Sequence, residues 1–198
     1  MPIHNDEELA AAVAKAGELL QEIQAYAKRD FSKPAKVRFP RGYIRPAAET
    51  RAKLGFLNNS HLKSNITCAM LLSDVQHWLL VRTGLSGTAK EMVIKLQLFL
   101  LGSIVASATK VFLKGKCDGN YAKRTGYLEN NGVISDHLHT ELDWLWELRN
   151  KMHIFQLDNI EWLSTDYTVA NHHRAVRAFK ALLEALNNAC SQEIPLTN

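Results

Sequence analysis

Arg149 and His153 stand one helical turn apart in Glu147-Leu148-Arg149-Asn150-Lys151-Met152-His153, on a stripe begun by Leu138, Leu142 and Leu145. At about 100° per residue, Arg149 falls within about 20° of Leu138 and His153 within about 60°. An arginine on a core-facing stripe is costly unless it is paired or lines a cleft. The two side chains suit attack of a 2′-hydroxyl on its neighbouring phosphate. That reaction needs a proton acceptor near neutral pH and a fixed cation for the charge growing on the phosphorane oxygens. A guanidinium offers forked donors matched to phosphate, and an imidazole titrates in the right range. The plainer reading makes Arg149 a buried structural cation paired with Glu141, Asp143 or an acid from another helix, and His153 a core histidine.

Other groups carry weaker signals. Residues 31–46 hold Lys33, Lys36, Arg38, Arg41 and Arg45 with no acid, interleaved with Phe31, Phe39 and Tyr43. Cations track phosphates and aromatic faces stack on unpaired bases, so Arg38, Arg41 and Arg45, with Lys151 beside the motif, are candidates for holding RNA. The alternative is a solvated linker whose prolines stop helices. Trp144 and Trp146 lie about 160° apart on their helix and face different neighbours; with Trp162 they cluster near the motif, where one could meet a dimer partner. Asp74-x-x-His77 and Asp136-x-x-His139 resemble half of a carboxylate-bridged di-iron site, but the chain has no Glu-x-x-His. No metal or other cofactor is therefore expected. His61 and Cys68 read as core residues, and His172-His173 as a polar first turn. Glycine-rich phosphate loops and Gly-x-Ser-x-Gly are absent from the sequence.

These groups need helices to position them, and the sequence is periodic at the helical repeat almost throughout. Leu9, Val13, Ala16, Leu20, Ile23 and Ala27 alternate +4 and +3 behind an Asn5–Glu8 capping box. Pro34, Pro40 and Pro46 break the next segment. From about 48 to 82 the stripe Leu54, Leu57, His61, Ser64, Cys68, Leu71, Val75, Trp78 and Arg82 predicts one long helix, or two joined near Asn58-Asn59. Thr88 and Glu91 predict a capping box for a helix running to about 114. A short helix over 121–130 should end at Asn131-Gly132, and Ser135 should cap the motif helix, which ends near Gln156. The last helix aligns Val176, Phe179, Leu183, Leu186 and Cys190. The expected fold is all-α, an antiparallel bundle of about five to six helices. Residues 1–48 form an N-terminal helix and basic arm, and 49–198 the bundle.

Composition agrees with this. Of 198 residues, 46% are hydrophobic and 22% charged, enough to bury a core and too apolar for disorder. A net charge of +4 permits a polyanionic partner without requiring one. Three well-separated cysteines form no metal spacing and no disulfide framework, which points to a reducing compartment. The polar, acidic start is unlike a signal peptide, and the apolar run 96–108 is too short for a membrane span. A cytoplasmic protein without membrane association is expected.

The segment Tyr127-Leu128-Glu129-Asn130-Asn131-Gly132-Val133-Ile134-Ser135, the leucine stripe after it, and Leu148-Arg149-Asn150 followed by His153 resemble the signature of the HEPN superfamily (higher eukaryotes and prokaryotes nucleotide-binding domains). The resemblance covers about 127–155 as sequence and 49–190 as architecture. It implies a metal-independent endoribonuclease of the toxin–antitoxin or defence type. Two motif helices of a homodimer would form one cleft, with an antitoxin or other protein as a possible partner. Carried over, Arg149 would neutralise the scissile phosphate and His153 would move protons. Asn150 matches the polar residue that follows the arginine. Three residues separate Arg149 from His153, fewer than is usual in the family. The resemblance equally accommodates a non-catalytic nucleotide- or RNA-binding module.

Overall fold

Seven α-helices and no strand occur among the described residues, 2–152 and 165–191 of the computed structural model. They are α1 (Asp6–Ala27), α2 (Ala47–Ala52), α3 (Ser60–Arg82), α4 (Gly87–Phe112), α5 (Tyr121–Asn130), α6 (Asp136–Lys151) and α7 (Val169–Ser191). The all-α expectation holds. Of the two alternatives for 48–82, the pair of helices is the one formed: the short α2 is cut from α3 by a non-helical stretch that buries Leu54 and Leu57, which brings the number to seven. The chain divides into Met1–Arg41 and Gly42–Asn198. Tyr43 and Arg45, in the second unit, are tied to α3: the Tyr43 ring meets Trp78 edge-on, and Arg45 binds Asp74.

Side-chain caps start α1 and α6 where the sequence places them, and α3 and α5 as well. Asn5 Oδ1 accepts from the Glu8 amide at 2.8 Å, and the Glu8 carboxylate accepts from the His4 amide at 2.9 Å. Asn59 accepts from the Leu62 amide, Asn120 from Lys123 and Ser135 from Leu138. Each satisfies one of the amides that a helix start leaves without an intrahelical partner. Helix α4 differs. It begins at Gly87, whose φ is +57°, so Thr88 lies inside the first turn and the cap position, Ser86, makes no side-chain bond. Glycine suits that backbone where a β-branched residue would be strained.

In the second unit α4 is central, packing on α3, α5, α6 and α7. By length and composition it could cross a membrane, yet half of its apolar window is buried within the protein. Leu98 and Leu101 of α4 meet a core that includes Leu128, Leu142, Leu145 and Leu182, all at most 1% exposed. The face expected for α3 is not the one used. His61 and Cys68 are exposed, as is Cys190 of α7, while Ile66, Thr67 and Met70 are buried. The buried line of α3 continues to Ser73, whose hydroxyl accepts from Gln97 Nε2 of α4 at 2.6 Å. Both lines step by +3 and +4, so periodicity alone does not choose between them.

Candidate anion-binding site on helix α6

Leu142, Leu145 and Leu148 fix α6 on the core, and the next residue, Arg149, is half-buried at the edge of the same face. Its guanidinium carbon lies 5.1 Å from the Phe99 ring centre of α4 and 5.0 Å from that of Trp146. Trp146 in turn stacks on Tyr121 of α5, with centres 4.3 Å apart and planes 9° from parallel. The Tyr121 hydroxyl donates to the Leu142 carbonyl at 3.0 Å, and burial raises its pKa. Three helices thus build an aromatic seat for one cation. The approach of α4 to α6 depends on Gly102, where a Cβ would stand 3.0 Å from Arg149 Cβ and 3.5 Å from the Leu145 carbonyl oxygen.

No carboxylate pairs with Arg149 among the described residues. Glu141 is taken by Arg174 of α7 in a fork at 2.7 and 2.8 Å. That arginine also lies over Trp144, 3.9 Å from its ring centre. Asp143 accepts from Thr125 at 3.0 Å and stands 3.2 Å from His139 Nε2, whose Nδ1 meets Glu129 at 2.6 Å. Arg149 Nη1 donates to Asn150 Oδ1 at 3.0 Å, and Nε is buried without a partner among the described residues. The pairing of Arg149 with Glu141 or Asp143 is therefore not the one adopted. A guanidinium that is held in place but not neutralised retains its attraction for an anion.

The other residues singled out by the sequence fall in several places. Asn150 orients Arg149 directly, and Lys151 is exposed at the helix end. His153, Trp162 and the expected helix end near Gln156 lie outside the described residues. Arg38 and Arg41 are exposed in the first unit. Arg45 belongs to the second and is committed to Asp74, whose carboxylate accepts from its backbone amide at 3.2 Å and its Nε at 3.0 Å. That pairing raises the Arg45 pKa and leaves its charge compensated. Asp74 is thereby engaged by Arg45, and His139 by Glu129 and Asp143. Among the described residues, no group of three or more His, Cys, Asp and Glu side chains is placed to hold a metal ion.

Comparison with known proteins finds no matching family model, curated protein or solved structure. His172, expected in a polar first turn, is 2% exposed and stacks on His77 with ring centres 5.5 Å apart. Burial, then the neighbouring His77 and His173, push its pKa down to about 4. His77 also borders a cavity of about 580 Å³ shared by α3, α4 and α7 with Arg45 and Asp74, which Arg149 does not line. Phe99, Tyr121 and Gly102 are the site residues that the sequence does not single out. A glycine inside a strongly apolar helix is the one available signal for a close helix approach.

Proposed function

We propose that this chain is a metal-independent endoribonuclease of HEPN type, acting as a homodimer in which Arg149 binds the scissile phosphate. The observation that carries this reading is the Arg149 guanidinium, seated on Phe99 and Trp146 with no carboxylate partner among the described residues. The family resemblance of the surrounding sequence supplies the rest. In the reaction, the 2′-oxygen forms a bond to phosphorus, the bond to the 5′-oxygen breaks, and a 2′,3′-cyclic phosphate results. His153 accepts the 2′-hydroxyl proton, and the copy from the second motif helix returns one to the leaving oxygen. Arg149 holds the charge that builds on the non-bridging oxygens. A toxin–antitoxin or defence role belongs to the same proposal.

A second reading, an RNA-binding module without catalysis, is favoured by the short three-residue interval between Arg149 and His153. One experiment separates them. End-labelled mixed RNA is incubated with the protein in EDTA, beside Arg149→Ala and His153→Ala. Cleavage by the wild type, reduced at least about a hundredfold in both folded variants, is expected from the loss of a general acid–base group or an oxyanion contact. Retained RNA binding without cleavage would replace the nuclease with the binding module, and absence of both would remove the site.

A further inference from the structure

Helix α1 is 22 residues long and buries none of its own side chains. Its unit, Met1–Arg41, contains no second helix or strand among the described residues for it to pack on. The apolar line Leu9, Val13, Ala16, Leu20, Ile23 and Ala27 nevertheless keeps a strict 4-3-4-3-4 spacing, the seam of a coiled coil with Val13, Leu20 and Ala27 at a and Leu9, Ala16 and Ile23 at d. A helix this length gains little from propensity alone, so such a seam implies a partner helix.

We infer that α1 pairs antiparallel with α1 of a second copy of this chain. Two features of the sequence select that partner and direction. The first is size. Antiparallel pairing about the seam's midpoint sets Leu9 against Ala27, Val13 against Ile23 and Ala16 against Leu20, an a position facing a d position each time. Every layer then combines a larger with a smaller side chain, as an evenly filled interface requires. Parallel pairing would set Ala16 on Ala16 and Ala27 on Ala27, leaving two thin layers. The second is charge. The first turn carries Asp6, Glu7 and Glu8, while Lys28 and Arg29 follow the last turn. Antiparallel pairing brings the acidic start of each copy to the end of the other that carries Lys28 and Arg29. The parallel one crowds three acids against three. Near its middle the seam is flanked by Gly17 and Ala12, small enough for close approach.

This pairing is independent of the dimer proposed across α6, and its test reads α1 alone. In the full chain with Cys68, Cys117 and Cys190 replaced by serine, Val13→Cys and Ile23→Cys proteins are prepared separately and mixed under mild oxidation. The expected result is a disulfide-linked species in the mixture that neither protein forms alone, because positions 13 and 23 oppose each other. Self-linking of Val13→Cys would overturn the direction, and no linkage in any sample would overturn the pairing. Adding Leu20→Glu to both cysteine proteins should abolish the linkage, with the unfolding midpoint of the helical bundle unchanged. Linkage that persists, or a lowered midpoint showing that the seam is covered by the chain's own bundle, would overturn the inference.

Discussion

Arg149 is restrained before any ligand arrives: Phe99 and Trp146 lie about 5 Å from its guanidinium carbon and Asn150 holds one nitrogen. Much of the side-chain entropy lost on gripping an anion is therefore already lost in the free protein. The consequence is that the planar fork, and not charge alone, should set affinity. Arg149→Lys keeps the charge but neither spans the two rings nor offers paired donors. Its affinity for a short labelled RNA, followed by fluorescence anisotropy, should fall about tenfold, equivalent to about 1.4 kcal/mol. Stability should fall by about 1 kcal/mol from the lost ring contacts. Arg45→Lys provides the contrast. Its charge is already compensated by Asp74, so RNA affinity should stay within about twofold of the wild type. Equal binding by Arg149→Lys and the wild type would show that the fork plays no part.

At the level of elements, α4 and α6 meet at Gly102, and the position of Arg149 follows from that meeting. Glycine within a helix costs about 0.5–1 kcal/mol relative to alanine, so its place in the middle of α4 reflects the contact it permits. Gly102→Leu would drive a branched side chain into the α6 backbone beside Arg149. Urea unfolding should show a loss of about 3 kcal/mol, with Trp146 emission shifted as the seat opens. No loss of stability would mean that the helices separate freely there. The leucine stripe of α6, its Ser135 cap and the exceptional Arg149 are local patterns, legible from spacing alone. The seat is not, because Phe99, Tyr121 and Trp146 are brought together only by packing between helices distant in sequence. The buried face of α3 is hidden from the sequence for a related reason: polar and apolar residues alternate loosely around it, and tertiary partners, Gln97 among them, decide which side turns inward.

Across the whole molecule, the stack of buried His172 on half-buried His77 makes folding depend on pH in the histidine range. His172 has a pKa near 4 when folded, against an ordinary value of 6.5. Between those values the unfolded chain binds the proton that the folded chain refuses, so stability rises with pH. The contribution of keeping His172 neutral is complete above about pH 6.5 and fades as pH falls toward 4. At about 1.4 kcal/mol per pH unit, the loss across that window is about 3 kcal/mol. His77 is lowered too, first by burial and then by His173 and Lys180, and adds in the same direction. Glu141 acts later: its carboxyl is held below the usual 4.5 by Arg174, so its contribution disappears only at lower pH. His172→Phe preserves a ring against His77 and removes the proton site. Urea midpoints measured from pH 8 to pH 4 should fall steeply below 6.5 in the wild type and much less in this variant. Parallel curves would place the acid sensitivity elsewhere in the bundle, whereas a steeper fall in the wild type than in the variant would locate it at the histidine stack between α3 and α7.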